Sequence, residues 1–282
     1  MVPVSSTPSD PPPPTEHAGF RPVPDEAGGT AARGWWDAHA EEYLAEHGDV
    51  LGRADFVWCP EGLTEDEAHL LGDLDGDLRH ARVLEVGAGA AQCSRWLTAH
   101  GVRAVATDVS AGMLRAGDAY DSVTGVRTAR VQADARALPF DDGTFDLVFT
   151  AFGVIPFVPD AARVHAEVFR VLRPSGRWVF ATTHPLRWAF PDDPGAAGLT
   201  ATIPYFSRTP YVEWSSSGRV LYAEYHRTLG DLVAEVVGAG LVLDGLVEPE
   251  WPEGRDLTWG GWGPVRGALL PGTLIVRAHR PA

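Results

Sequence analysis

The sequence predicts an α/β fold in which a seven-stranded, mostly parallel sheet is covered by helices on both faces. Short β-branched runs alternate with helical patterns between residues 82 and 182, which is typical of parallel strands joined by helices. The first of these runs ends in a glycine turn at Gly87 and Gly89. Apolar residues make up 45% of the 282 residues, enough for one large core.

Seven segments have the composition of buried strands, and they set the order of the predicted sheet. They are residues 82–86, 102–107, 126–132, 145–150, 178–182, 241–248 and 273–279. Helices are predicted between them, at residues 92–100, 111–120, 161–172 and 231–239. Because the carboxyl ends of parallel strands meet at one edge, ligand-binding residues are expected there.

Two regions fall outside this alternation. Residues 1–33 hold eight prolines and few large apolar residues, so they are predicted to form a disordered tail. Helices at residues 37–47 and 65–78 are predicted to form a helical cap within residues 34–80. Residues 185–220 form an insert after the fifth strand that is rich in Pro, Gly and aromatics, and loops of this length are usually functional or disordered.

Composition excludes several classes of function. The net charge of -15 argues against a nucleic-acid partner, which requires clustered cations. No apolar run approaches a membrane span, and no signal peptide pattern is present, so a cytoplasmic protein is expected. The two cysteines and the scattered histidines lack metal-ligand spacing, so no metal site is predicted. All 23 cations are arginine, a bias typical of GC-rich bacterial genes, and the lack of lysine removes Schiff-base chemistry.

The glycine turn is the first of three signals for a nucleotide-like cofactor. It follows the strand that contains Glu85, and the next helix directs free N–H groups toward whatever the turn approaches. Asp108 ends the second strand, where an acid accepts hydrogen bonds from a ribose diol; a helix N-cap is the alternative role. Asp134 follows the third strand, where it is predicted to accept the exocyclic amine of adenine or to serve as a plain turn residue.

As an ordered set, these motifs resemble the class I S-adenosylmethionine (SAM)-dependent methyltransferases, especially the group of the ubiquinone/menaquinone-biosynthesis enzymes. The resemblance covers residues 80–184, and it includes the fourth-strand motif at residues 145–148 and the turn at residues 172–177. One departure is Ala91, where the family often has a third glycine. The resemblance implies a Rossmann-like fold, with a methyltransferase domain over residues 34–282, and SAM as cofactor.

The resemblance also implies the cofactor-binding residues. Tyr43 is expected to reach the methionine carboxylate and Glu85 to hold the ammonium group. The full expected set is Tyr43, Glu85, Gly87, Ala88, Gly89, Asp108, Val109, Met113, Ala133, Asp134, Ala135 and Ala151. For Trp35 and Trp36, core packing is the preferred interpretation over cofactor contact.

Other classes of protein share part of this pattern. A dinucleotide dehydrogenase also has a glycine turn and an acid about 20 residues later, but Glu85, Asp134 and the turn into the fifth strand favour a methyltransferase. A nucleic-acid amino-methyltransferase is disfavoured because its Pro-Pro-aromatic turn is missing after the fourth strand. A regulatory scaffold that binds SAM without transferring its methyl group remains the alternative function.

Methyl transfer is expected to reach a small-molecule acceptor, apolar or aromatic in character. SAM supplies a good leaving group, so positioning and water exclusion are the main requirements. His184, directly after the fifth strand, is the predicted base if the acceptor loses a proton, with a structural role as the alternative. The predicted acceptor wall is the insert, through Trp188, Tyr205, Tyr211 and Trp214, with a satellite core as the alternative; Trp259 and Trp262 are expected to close the opposite side.

Overall fold

The computed structural model describes residues 15–282. Within that range, the elements in chain order are β1 (His17–Phe20), α1 (Asp25–Leu51), α2 (Glu65–Ala68), β2 (Arg82–Val86), α3 (Gln92–Ala99), β3 (Arg103–Asp108), α4 (Ala111–Thr124), β4 (Ala129–Gln132), β5 (Phe145–Ala151), α5 (Ala161–Val171), β6 (Leu172–Thr183), β7 (Tyr211–Trp214), β8 (Val220–Glu224), α6 (Leu229–Gly238), β9 (Val242–Val247), α7 (Pro264–Gly267) and β10 (Thr273–His279). No helix in this range is long and apolar enough to cross a membrane.

The predicted sheet is confirmed. In the described part of the chain its seven strands follow the order β4-β3-β2-β5-β6-β10-β9. The pairs from β4 to β6 are parallel, and β10 is antiparallel to both of its neighbours. The order reverses between β2 and β5, whose carboxyl ends therefore flank a crevice.

Alternate residues of the central strands feed two cores, one on each face of the sheet. Leu84 packs into a core with Val164 and Val168 of α5 and residues of α6. Its neighbour Val83 packs into the other core, which includes Leu97 of α3 and the segment around Trp58. A strand buried on both faces is apolar at consecutive positions, which is why β2 was recognisable from its sequence.

The predicted tail is wrong for residues 15–33, and residues 1–14 lie outside the described range. β1 pairs antiparallel with β7, and α1 begins at Asp25 after Pro24. The helix docks through small residues instead of an apolar stripe: a Cβ atom on Gly28 would lie 1.9 Å from the Tyr225 hydroxyl oxygen. Because close approach through glycine leaves no hydrophobic period, the helical pattern was detected only from Asp37 onward.

The predicted second helix is also much shorter than expected. It spans Glu65–Ala68 and ends at His69, which adopts a left-handed φ of 47°. The buried Glu65 carboxylate accepts hydrogen bonds from the backbone nitrogens of Leu70 and Leu71 and from Nε1 of Trp58. These bonds hold the chain in a turn at the point where a helix would have continued.

The insert is folded into a second, smaller sheet. Its strands β7 and β8 pair antiparallel, and β1 completes a three-stranded sheet of order β1-β7-β8. Trp35 of α1 contacts Tyr222 of β8, with ring centroids 5.1 Å apart. The N-terminal residues and the insert therefore form one continuous layer over the crevice.

Candidate functional site

The turn that follows β2 comes very close to the turn that follows β5. Gly87 and Gly89 have φ values of +67° and +56°, in the left-handed region that favours glycine. A Cβ atom on Gly87 would lie 2.4 Å from Cγ2 of Val154, and one on Gly153 would lie 2.1 Å from the Gly87 carbonyl oxygen. No side chain fits between the two turns.

Glu85 is a buried acid at the carboxyl end of β2. Its Oε2 atom accepts a hydrogen bond from the backbone nitrogen of Ser94 at 3.0 Å. Burial raises the pKa of Glu85 to about 7, because an apolar environment penalises the charged form. The carboxyl group has no ion-pair partner among residues 15–282, so a cationic ligand group would compensate its charge.

Asp108 braces the glycine turn from the end of β3. Its Oδ2 atom accepts from the backbone nitrogen of Gly89 and its Oδ1 atom from that of Ser110, both at 2.8 Å. Burial raises the pKa of Asp108 to about 6. The N-cap of α4 is Ser110, whose Oγ atom accepts from the nitrogen of Met113. The helix N-cap interpretation of Asp108 is therefore wrong.

Asp134 lies beside the same crevice, but its carboxylate is engaged by Arg136. The Arg136 side chain donates from Nε and Nη2 at 3.0 and 2.8 Å, and its backbone nitrogen donates at 2.9 Å. Burial alone would raise the pKa of Asp134, but the hydrogen bonds from Arg136 hold it below its usual range. The structure thus supports the turn interpretation, and adenine recognition by Asp134 stays a prediction.

These elements enclose a cavity of about 450 Å³ at the carboxyl edge of the sheet, a size typical of small-molecule sites. All twelve residues predicted to bind the cofactor line it: Tyr43, Glu85, Gly87, Ala88, Gly89, Asp108, Val109, Met113, Ala133, Asp134, Ala135 and Ala151. Sequence order alone separates Tyr43 from Ala151 by more than a hundred positions. The fold brings this predicted set together.

The cavity continues beyond the strand edge into an aromatic half under α1. Trp35 and Trp36 line it and pack edge-to-face with their centroids 4.7 Å apart, so they pack against each other, as predicted, and also border the cavity. Burial raises the pKa of Tyr43 well above its usual range. The rings that line the aromatic half are Trp35, Trp36, Tyr43, Phe152, Phe157, Tyr222, Trp259 and Trp262.

His184, the predicted base, is not in the cavity wall. Its Nε2 atom donates to Glu248 Oε1 at 2.8 Å, and its Nδ1 atom accepts from the backbone nitrogen of Leu186 at 3.1 Å. Both ring nitrogens are therefore in use, and the lone pair needed by a base caps a short 3₁₀ helix at Pro185–Ala189. These contacts favour the structural alternative for His184 over the predicted catalytic role.

The four predicted acceptor residues also lie outside the cavity wall. Trp188 packs behind the guanidinium of Arg187. The Tyr205 hydroxyl accepts from the nitrogen of Leu229 at the start of α6, and Trp214 packs against His17 and Arg21 in the smaller sheet.

Tyr211 faces Glu224 across the β7–β8 pair, but its own hydroxyl donates to Glu213. Of the four aromatics, Tyr211 and Trp214 belong to the three-stranded sheet, and Trp188 and Tyr205 lie in the chain between β6 and β7. These contacts favour the alternative interpretation, a satellite core, over the predicted acceptor wall.

Several residues in the cavity wall were missed by sequence reasoning. Tyr222 and Glu224 come from β8, Arg187 comes from the loop after β6, and His39 comes from α1. The alternation Tyr-Ala-Glu in β8 is the signal that was available, since residues two apart share one face of a strand. Trp259 and Trp262, predicted to close the other side, do line the cavity.

Comparison with known proteins agrees with this geometry. Residues 84–180 match the family model described as "Methyltransferase domain". An S-adenosylmethionine-dependent methyltransferase from Mesorhizobium loti is 26% identical, with a TM-score of 0.56, over 74% of this chain and 100% of the other. Residues 84–180 therefore resemble a methyltransferase domain, in a chain that shares the fold of SAM-dependent methyltransferases. SAM is the cofactor of this class of domain.

Two further relatives show how far the likeness extends. A demethylmenaquinone methyltransferase from Mycolicibacterium gilvum is 42% identical over 98 residues, which are 35% of this chain and 40% of that protein. The chain thus matches less than half the length of this relative. A Burkholderia thailandensis 1,6-didemethyltoxoflavin-N1-methyltransferase, solved with S-adenosylhomocysteine, shares the fold over 94% of this chain and 95% of its own, at 16% identity and a TM-score of 0.58.

The residues of the methyltransferase domain fit SAM chemically. Two buried carboxyl groups, on Glu85 and Asp108, lie in the cavity wall without a cationic partner in the described range. An ammonium group and a ribose diol are the complements that such groups need. The turn at Gly87 and Gly89 lets a ligand approach the backbone directly.

Proposed function

We propose that this chain transfers the methyl group of SAM to a small-molecule acceptor. The observation that carries the proposal is the composition of one cavity: a strand edge with two buried carboxyl groups that have no ion-pair partner in the described range, and an aromatic chamber under α1. A single cavity with room for two reactants suits group transfer better than the binding of one ligand. The acidic net charge of -15 disfavours a nucleic-acid acceptor.

In the proposed reaction, the protein mainly positions the cofactor and the acceptor and excludes water from the reacting atoms. When bound, SAM supplies an activated methyl group on a sulfonium, which is already a good leaving group. Glu85 would hold the ammonium end and Asp108 the ribose, so that the methyl group faces the aromatic chamber. The rings of Trp35 and Trp36 would exclude water from the line of attack, and this arrangement lowers the barrier through orientation.

His39 is the base that we propose in place of His184. Its Nδ1 atom lies 2.8 Å from the carbonyl oxygen of Trp35. A carbonyl only accepts hydrogen bonds, so Nδ1 carries the proton and the neutral ring has its lone pair on Nε2. The ring is stacked on Trp35 at 4.5 Å and lines the cavity. His39 would take the proton of an acceptor O–H or N–H at Nε2.

Calorimetry and isotope transfer test the proposal. The purified chain should bind S-adenosylhomocysteine, and methyl-labelled SAM should label a small molecule in an extract of the organism that encodes it. Binding with no labelled product in such extracts would favour a SAM-binding scaffold that does not transfer methyl. Absence of S-adenosylhomocysteine binding would overturn the proposed function altogether.

A further inference from the structure

Two oppositely charged side chains line the acceptor half of the cavity without forming an ion pair with each other. Glu224 projects from β8 and Arg187 from the loop after β6, and both line the cavity. The ion pair of Arg187 is with Asp192, at 2.5 Å, and Glu224 forms no ion pair within residues 15–282. A donor and an acceptor are thus presented to whatever occupies this chamber.

One carboxylate oxygen of Glu224 is hydrogen-bonded within the protein, and the other is not. Its Oε1 atom accepts from the Tyr222 hydroxyl, while Oε2 accepts no hydrogen bond from the described residues. Burial raises the pKa of Glu224 above its usual range, and the nearby charge of Arg187 counteracts that effect. A carboxylate oxygen that lines a cavity without a protein donor is available to an N–H or O–H group of a ligand.

The side chain of Arg187 is held by its neighbours, yet some of its guanidinium N–H groups have no acceptor in the described residues. Its guanidinium lies 5.2 Å from the ring centroids of both Trp188 and Trp262. Its side chain is 12% exposed, and its buried Nε atom has no hydrogen-bond partner. A rigid guanidinium held between two rings presents its N–H groups in a defined direction.

Flat rings form the cavity wall beside each of these two charges. Tyr222 lies 5.1 Å from Trp35 and 6.2 Å from Phe157, centroid to centroid. On the other side, Trp262 packs edge-to-face on Phe152 at 5.7 Å. Ring faces favour a flat, delocalised occupant over a branched aliphatic one.

We infer that the methyl acceptor is a planar heteroaromatic compound whose edge carries both an N–H or O–H donor, directed at Glu224, and a carbonyl oxygen, directed at Arg187. Lactam-type and hydroxy-ketone heterocycles have this edge. Such a molecule donates to the open oxygen of Glu224 and accepts from Arg187, whereas a hydrocarbon makes neither hydrogen bond. The inference rests on the proposed function, since it describes the acceptor for that site.

Binding to the protein saturated with S-adenosylhomocysteine tests this inference without an identified substrate. The probes are 2-quinolone, which has the paired edge, 1-methyl-2-quinolone, which lacks the donor, and naphthalene, which lacks both groups. Tryptophan fluorescence and calorimetry should show 2-quinolone bound at least about tenfold more tightly than either of the others, because only 2-quinolone can form both hydrogen bonds.

Variants separate recognition from folding. Glu224→Gln keeps an acceptor for Tyr222, and Arg187→Met keeps an unbranched apolar stem without the guanidinium; each should abolish the preference for 2-quinolone while leaving S-adenosylhomocysteine affinity unchanged. Glu213→Gln, on the neighbouring strand and outside the cavity wall, is the matched control and should retain the preference.

Three results would overturn the inference: equal binding of naphthalene and 2-quinolone, no binding of any probe, or tighter binding of tetramethylammonium than of 2-quinolone, which would indicate a cation site. Each can occur while S-adenosylhomocysteine still binds, so that the proposed function stands. Loss of S-adenosylhomocysteine binding by the unmodified protein would remove both proposals.

Discussion

The Oδ1 atom of Asp37 lies 2.7 Å from the backbone nitrogen of Gly112 and accepts its hydrogen bond. The same oxygen accepts from the Ser110 hydroxyl at 2.8 Å. Asp37 belongs to α1, while Ser110 and Gly112 form the start of α4, directly after Asp108. One carboxylate thus ties the roof of the cavity to the strand edge that is proposed to hold the ribose.

Removing this tether should loosen the roof. We expect Asp37→Ala to lower the free energy of unfolding by about 1–3 kcal/mol, because backbone and hydroxyl donors lose a charged partner, and to weaken S-adenosylhomocysteine binding. Thermal denaturation and calorimetry measure the two effects. Glu41→Ala, at an exposed position of the same helix, is the control. Unchanged affinity in Asp37→Ala would mean that the roof does not contribute to cofactor binding.

Cofactor affinity should depend on pH through the two buried acids. In the free protein the pKa values of Glu85 and Asp108 are raised to about 7 and about 6, and an ammonium group would favour the ionised pair. Below pH 7 binding must therefore expel a proton, and affinity should fall by up to about tenfold per pH unit, more steeply below pH 6.

The free energy of unfolding should depend on pH in the opposite direction to cofactor affinity. With raised pKa values, Glu85 and Asp108 bind more protons in the folded state than in the unfolded chain between about pH 4 and 7. Their contribution to the free energy of unfolding therefore decreases as the pH rises through that window. For cofactor binding, titration calorimetry in buffers of different ionisation enthalpy counts the protons released when S-adenosylhomocysteine binds. A flat affinity between pH 5.5 and 8 would contradict the predicted pH dependence of binding.

The contact between the two turns predicts a sharp difference between two glycines. Gly153→Ala should destabilise the protein by about 1–3 kcal/mol and abolish cofactor binding, because its Cβ atom would meet the Gly87 carbonyl oxygen at 2.1 Å. Gly238→Ala, near the end of α6 with no atom within 4 Å of the added carbon, should not destabilise it. Chemical denaturation compares the two, and equal effects would contradict the argument.

Ala91 carries a strain that glycine would relieve. It is the N-cap of α3 and adopts φ 62° and ψ 38°, a left-handed conformation that costs alanine about 1–2 kcal/mol. Ala91→Gly should therefore leave stability unchanged or raise it by up to about 1 kcal/mol, despite the larger entropy of glycine in the unfolded chain. Denaturant midpoints check this. A clear loss of stability would show that the Ala91 methyl group contributes packing that outweighs the strain.

Once a product is detected, variants of His39 and His184 should differ in kcat. His39→Ala is expected to reduce kcat by about 10²–10⁴-fold if the acceptor loses a proton, with partial rescue by added imidazole. His184→Asn, which keeps an acceptor for the Leu186 nitrogen, should leave kcat close to that of the unmodified enzyme. A loss of turnover confined to the His184 variant would reverse the assignment.

Much of the fold followed from local pattern. The strands that contain Glu85 and Asp108 are buried on both faces, so each is visible as a short apolar run. Parallel strands place their carboxyl ends on one edge, and Gly87 and Asp108 therefore had to meet there. The cofactor half of the cavity was predictable for this reason, whereas the role of His184 was not, because hydrogen bonds to both ring nitrogens leave no trace in a sequence.

The sequence by itself determined the parallel sheet and the strand edge that holds the cofactor motifs, since neighbouring residues specify both. Only the tertiary structure decided what covers that edge. β1 pairs with β7 across almost two hundred residues, with His17 opposite Trp214, and this pairing places two of the predicted acceptor aromatics, Tyr211 and Trp214, in the smaller sheet and outside the cavity wall. The same sheet directs Glu224 into the chamber. Such long-range pairings depend on which surfaces fit together, and no local periodicity records them.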